Sequence, residues 1–254
     1  MKIGAQMYTI RDYCRNAEEI EASLRKLKAM GFDLVQLSGL GPCSVDHLAG
    51  WLNELGITAC GTHSPWDSLS NPSELKKLID EHKKMNCPDI GLGMKPDIYP
   101  DSSEGYARFI KKVNEICKMV NGEGMTFSYH NHDLEFQKFD GVPALDRLAE
   151  ECPNLCFTLD VFWVQAGGMN PSVYLDKLKG RIQIAHFKDF RIVRRNRQFA
   201  EIGEGNFDWS DIIPRCEKNG VPCAVIEQDG DFLTDPFDSL AMSRKYLVEK
   251  GYWS

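Results

Sequence analysis

A chain of 254 residues, 43% hydrophobic and 26% charged, is long enough for one large core and ordinary in composition, and no run approaches the roughly 18 apolar residues of a membrane span. The net charge of -7 argues against a nucleic-acid surface, which needs clustered Lys and Arg. Nine scattered cysteines suit reduced thiols, and with no apolar signal segment at the start the expected location is cytoplasmic, with no membrane partner.

Short apolar runs alternate with longer amphipathic stretches along the whole chain. The runs predict strands over Lys2–Tyr8, Leu34–Leu37, Thr58–His63, Ile90–Leu92, Met125–His130, Leu155–Asp160, Ile182–His186 and Cys223–Glu227. Asn16 caps a first helix that has Glu18 and Glu19 in its opening turn and stops at Met30-Gly31; Ser44 and Gly56 bracket the second. Further helices are predicted from Pro72 to Met85, Ser103 to Val120, Val142 to Glu150, Pro171 to Gly180, Asp208 to Asn219 and Asp235 to Lys250. The basic run from Arg191 to Arg197 reads as a solvated loop. Eight βα units with no Gly, Ser or Pro-rich linker predict an α/β protein, a single-domain (β/α)8 TIM barrel over residues 1–254. An open doubly wound sheet would carry a Gly-rich phosphate loop after its first strand. Here Thr9-Ile10-Arg11-Asp12 follows, so no dinucleotide site is expected.

The chemistry gathers where strands end. The segment Phe127-Ser128-Tyr129-His130-Asn131-His132-Asp133-Leu134-Glu135 places two imidazoles at the exit of the fifth strand, and the next three strands stop on Asp160, His186 and Glu227. In a barrel these positions share the C-terminal mouth, where active sites form. One such residue alone is ordinarily a loop anchor; four in succession make a site. Two imidazoles and two carboxylates, His130, Asp160, His186 and Glu227, form a ligand set for one divalent ion, Mn, Zn, Co or Fe rather than Mg. His132 shares the parity of His130 and lies further out, toward a substrate. It and Glu135 are general-base candidates. Lys188 points inward by alternation, to hold a substrate oxygen or phosphate, or to pair with Asp189 or Glu204.

Six segments, Gly4 to Asp12, Tyr129 to Phe136, Leu159-Asp160 with Ala166-Gly167, His186-Phe187-Lys188-Asp189, Ile202-Gly203-Glu204-Gly205 and Ile226-Glu227-Gln228-Asp229, give the chain its likeness. It resembles the xylose isomerase-like barrel superfamily, in the sugar phosphate isomerase/epimerase branch. The resemblance implies a metal held by Glu, Asp, His and Glu after the fifth to eighth strands. Asp160, His186 and Glu227 match; the fifth strand departs, with Ser128, His130 and His132 where the Glu would fall. Gln36 stands where relatives often carry Glu, and Trp163 where some epimerases have a substrate-binding His. Trp66, beyond His63, offers a second aromatic wall. Lys188, His63, Trp163 and Trp66 are thus the expected substrate-binding residues, with Glu135 a further candidate by resemblance.

The implied reaction is proton abstraction beside a carbonyl through an enediolate, with Glu227, His132 and Glu135 as catalytic candidates. The expected function is a metal-dependent isomerase or epimerase of a ketose or keto-sugar. Alternatives are a lyase or dehydratase on a keto-inositol or 3-keto-glycoside, and a non-catalytic sugar-binding barrel. A small-molecule carbohydrate is the expected partner, and relatives often associate, so a homo-oligomer is allowed.

Overall fold

The alternation closes into a barrel. A computed structural model describes residues 1–253. Eight parallel strands, β1 (Lys2–Gln6), β2 (Leu34–Leu37), β3 (Thr58–Thr62), β4 (Asp89–Leu92), β5 (Thr126–His130), β6 (Cys156–Asp160), β7 (Ile182–Phe187) and β8 (Cys223–Ile226), form one sheet in the order β3-β2-β1-β8-β7-β6-β5-β4. At the seam between β3 and β4 there is no ladder, and the Ser64 backbone N–H donates to the Gly91 carbonyl at 2.8 Å. Gly91 is required there by close approach: a Cβ would stand 2.2 Å from the Thr62 carbonyl oxygen and force the seam apart.

The crossover helices are α1 (Ala17–Ala29), α2 (Val45–Leu55), α3 (Pro72–Lys84), α4 (Ser103–Gly122), α5 (Ala144–Glu151), α6 (Pro171–Lys177), α7 (Trp209–Lys218) and α8 (Pro236–Glu249). The expected caps are in place. The Asn16 side chain accepts from the Glu19 N–H, the Ser44 hydroxyl accepts from the His47 N–H, and Gly56 ends α2 at a φ of 62°.

Three local departures from expectation have physical causes. β1 stops at Gln6, whose side chain caps a 3₁₀ segment over Met7–Tyr13. α5 starts late because Val142–Pro143 pairs with Lys138–Phe139 around Asp140 and Gly141, both at positive φ. The basic run is a correction: Asp189–Val193 and Asn196–Ala200 form an antiparallel hairpin, not a loop. Its register pairs Phe190 with Phe199, and both rings pack on Phe162, at 5.6 and 5.0 Å, while Arg194 and Arg195 supply the left-handed turn and stay exposed. Short helices Trp66–Ser70 and Val161–Ala166, unforeseen, follow β3 and β6.

Hydrophobic burial is divided unequally. A large cluster fills the space between strands and helices, whereas the lumen holds a small one: Leu34, Cys60, Ile184, Cys223 and Val225. The other inward positions are polar and buried, with Gln6, Gln36, Ser128 and Thr158 at 0% exposure. The lumen is thus a polar column whose groups must satisfy one another. All nine cysteines are free, and burial pushes the Cys87, Cys152 and Cys216 thiols up to about 12, as unreactive core residues. Among the described residues no helix is long and apolar enough to cross a membrane.

Asp89 forms the floor of that column. One carboxylate oxygen accepts from the Thr126 and Ser128 hydroxyls at 2.5 and 2.6 Å, and the other has no partner. Burial raises its pKa from 3.8 to about 6 despite those hydroxyls. The folded chain therefore keeps a proton that the unfolded chain loses first. Asp89 is most favourable below about pH 4, and its contribution is lost as pH rises through about 6, a change on the order of 2–3 kcal/mol. Urea unfolding of the wild type and Asp89→Asn across pH 4–7 should show the wild type losing ground to the variant by about that amount. Parallel curves would refute the shift.

Candidate active site

Strand parity brings the four expected ligands to one place. β6 and β7 set Asp160 directly beside His186, β5 sets His130 beside Thr158, and the Glu227 N–H continues the β8 ladder onto the Phe187 carbonyl at 3.0 Å. One donor atom from each of His130, Asp160, His186 and Glu227 lies within 4.8 Å of the others, and all four residues are buried. Beyond the end of β5, Asn131 ties the strands together. Its side-chain oxygen accepts from the Asp160 N–H at 3.0 Å, and its amide donates to the Asp160 carbonyl.

The hydrogen bonds around the cluster decide which atoms face inward. A backbone carbonyl can only accept, so the His130 ring donates from Nδ1 to the Gly93 oxygen at 3.0 Å and turns a bare Nε2 inward. Gln36 does the same for His186 in mirror fashion. Its Oε1 accepts from Gln6 Nε2 at 2.9 Å and from His186 Nε2 at 2.6 Å, leaving Nδ1 bare. Asp160 commits Oδ1 to the Trp163 N–H, capping the helix Val161–Ala166, and leaves Oδ2 free.

The result is a knot of lone pairs. His186 Nδ1 lies 2.7 Å from Glu227 Oε2 and 3.7 Å from Asp160 Oδ2, and His130 Nε2 lies 3.5 Å from Asp160 Oδ2. All four are buried atoms with no aligned hydrogen-bond partner. Such an arrangement needs a cation. The donor set fits a divalent ion: two neutral imidazole nitrogens and two carboxylate oxygens, with both rings oriented from behind. The same demand appears in the titration of His186. Burial alone would lower it, but Glu227 and Asp160 outweigh burial and push it up to about 9. Burial likewise opposes ionisation of Asp160 and Glu227, yet Lys188 and the imidazoles hold both well below the usual carboxylate range.

The cluster opens on a cavity of about 380 Å³ whose wall includes His63, His130, His132, Lys188, Glu227 and Asp229. His132 stands edge-on to His130, at 4.7 Å between ring centroids, with Nδ1 unpartnered. Burial, together with His130, pushes its pKa down to about 3. His63 shares Nδ1 with the Ser38 hydroxyl at 3.2 Å, and burial with the neighbouring imidazoles holds it well below its ordinary value. Both rings are thus neutral at pH 7.

The remaining expected residues take varied places. Glu135 is not on the cavity wall; at 0% exposure it accepts from the Tyr129 hydroxyl and the His132 N–H, each at 2.6 Å, and burial raises it to about 7. It holds His132 from behind. Trp163 also stands behind His132, its ring 5.3 Å from the imidazole. Trp66 packs on Tyr99 and Phe109 and lines an adjoining recess shared with His63. Lys188 pairs with Asp160, Glu227 and Asp229 instead of Asp189 or Glu204. Asp189 accepts from the backbone of Phe190, Gly203 and Phe207 and from the Trp209 indole, fixing the base of the hairpin. Sequence reasoning missed the Gln6 amide and Asp229. The parity of β1, which turns Gln6 inward beside Gln36, was the available signal for the first.

Replacing Gln36 by Met should leave the fold intact and weaken divalent-ion affinity 10–100-fold, because the acceptor that fixes the His186 tautomer is gone. Equilibrium dialysis against Mn²⁺ or Co²⁺ measures it; unchanged affinity would show that the tautomer is set elsewhere.

Comparison with known proteins adds the lineage. A family model described as the xylose isomerase-like TIM barrel matches residues 24–231. Among solved structures, a sugar phosphate isomerase/epimerase from Parabacteroides distasonis superposes with a TM-score of 0.81 at 20% identity, over 100% of this chain and 99% of that one. A probable 3-DHS dehydratase from Bacillus anthracis gives 0.73 at 18% identity, over 98% and 99% of the two chains. The IolI protein with a bound zinc atom gives 0.73 at 15%, over 100% of both. At these identities the likeness shows the fold alone. Comparison with curated proteins gave no match. The family match spans most of the sequence and the closed sheet agrees with it: the chain belongs to the xylose isomerase-like TIM barrel family.

Proposed function

We propose that the protein is a metal-dependent isomerase or epimerase of a ketose or keto-sugar. The observation that carries this reading is the convergence of four buried donor atoms without aligned hydrogen-bond partners, from His130, Asp160, His186 and Glu227, beside a cavity of about 380 Å³ whose wall includes His130 and Glu227. The relatives support it without defining the reaction: one is named a sugar phosphate isomerase/epimerase and one holds zinc. His130, Asp160, His186 and Glu227 would hold one divalent ion, Mn, Zn, Co or Fe. When bound, such an ion supplies Lewis-acid polarisation of a carbonyl, worth several kcal/mol of charge stabilisation.

The chain's own residues do the rest. His132 is the proton acceptor in this reading: its ring lines the cavity, its Nδ1 has no hydrogen-bond partner, and Glu135 fixes its backbone. The proton passes from the carbon beside the substrate carbonyl to His132, giving an enediolate, and returns from the His132 imidazolium to the neighbouring carbon; return on the opposite face would use Glu227 after its carboxylate has taken a proton from solvent. Lys188 holds a substrate oxygen; His63 and the recess beside Trp66 accept the rest of the carbon chain. Trp163 contributes by backing His132. The same enediolate would serve elimination, for which the dehydratase relative speaks. Free thiols throughout suit a reducing compartment, and a cytoplasmic location belongs to the same proposal.

Purified protein loaded with Mn²⁺ or Co²⁺ should catalyse deuterium uptake from D₂O into a keto-sugar, read by NMR. His132→Ala should lower that rate by 10²–10⁴-fold while retaining the ion. Release of water or an aglycone with the uptake would make it a lyase. Sugar binding with no uptake, across ketoses, keto-inositols and 3-keto-glycosides, would make it a binding barrel.

A further inference from the structure

Lys188 is an unusual neighbour for a metal centre. It follows His186 by two residues, so strand alternation turns it into the same space, and it is 1% exposed. Its ammonium lies 3.1 Å from Asp160 Oδ2, 3.0 Å from Glu227 Oε2 and 3.0 Å from Asp229 Oδ2, and only the last is aligned as a hydrogen bond. The rings of Trp163 and Phe199 stand 5.3 and 5.9 Å from it and close the path back toward the hairpin. The first two oxygens both face His186 Nδ1, and Asp160 Oδ2 also faces His130 Nε2. An ion held by the four side chains and the Lys188 ammonium therefore draw on the same two atoms.

We propose that Lys188 is a built-in competitor of the divalent ion, displaced onto Asp229 when the ion binds. A dication and an ammonium at contact distance repel strongly in a buried space, so both cannot keep Asp160 Oδ2 and Glu227 Oε2. Asp229 is the only one of the three acids outside the ligand set, and its side chain is 23% exposed on the cavity wall. Retreat to Asp229 keeps the lysine paired and turns its remaining N–H groups to the cavity. Ion binding and presentation of a cation to a substrate oxygen are thus one coupled event. The lysine lowers metal affinity and gains a role in return.

This rests on the metal reading of the four side chains but not on the reaction proposed. The opposite view, that Lys188 only screens Asp160 from Glu227 and holds them together, predicts the reverse sign. The test is divalent affinity of purified wild type, Lys188→Met and Asp229→Asn, by Co²⁺ absorption and by the free Mn²⁺ signal in electron paramagnetic resonance. Lys188→Met should bind at least ten times more tightly, and Asp229→Asn, which leaves the ammonium only the metal ligands as carboxylate partners, at least several times more weakly. Lys188→Gln replaces Lys188→Met if the latter does not fold, with folding judged by circular dichroism and thermal melting. Equal or weaker binding by the folded lysine variant overturns the competition while leaving the metal reading intact. No ion binding by any of the proteins overturns both.

Discussion

Two carboxylates and two imidazoles pressed together in a buried space are the constraint around which this barrel is arranged. Left to themselves, the carboxylates of Asp160 and Glu227 and the bare nitrogens of His130 and His186 repel, and burial adds several kcal/mol per ionised group. The protein holds them in place through a few committed polar groups nearby. Gly93 and Gln36 fix the two rings, Asn131 locks the exit of β5 to that of β6, and Asp160 spends one oxygen on a helix cap. The Lys188 ammonium is the positive charge set against the two carboxylates, and the donor set fits a divalent ion in addition.

Such a centre must be carried by hydrophobic burial elsewhere. The lumen supplies little, since its apolar cluster is five residues and its column runs polar from Asp89 at the floor to the ligands at the mouth. The layer between strands and helices supplies the remainder, with Phe127, Phe157, Phe187 and Trp209 fully buried outside the sheet. Strand parity separates the two tasks cleanly, because neighbouring residues on β5, β6 and β7 face opposite ways: Tyr129 into the core and His130 into the lumen, Leu159 and Asp160, Ala185 and His186.

That parity is also why so much could be read from the sequence. A strand ending on a charged residue marks the mouth of a barrel, and His130, Asp160, His186 and Glu227 are each such an ending, so both the fold and the gathering of these four side chains were legible. What was not legible depends on contacts across the barrel. Nothing local tells that Glu135, three residues past His132, folds back under it, or that Lys188 meets Asp229 rather than Asp189. Asp189 is drawn away by three donors from residues 203–209, together with the Phe190 N–H beside it, which sequence spacing does not reveal. The arginine run looked like a loop because its charges dominate the composition. Phe190 and Phe199, which decide that it is a hairpin, flank that run and are paired only by register.

The order of the strands has a consequence for how the molecule comes into being. The first and last strands are not at the rim of the sheet but side by side within it, with Lys2 opposite Cys223, and Gln228 bonded to Thr9 across 219 residues of chain. Their pairing closes the longest loop in the fold and so carries its largest loop-closure entropy, which favours its forming after the more local βα contacts. Glu227 rides on the last of these strands. His130, Asp160 and His186 can therefore meet before their fourth partner arrives, and an ion bound at the four side chains would seal a finished barrel instead of nucleating one.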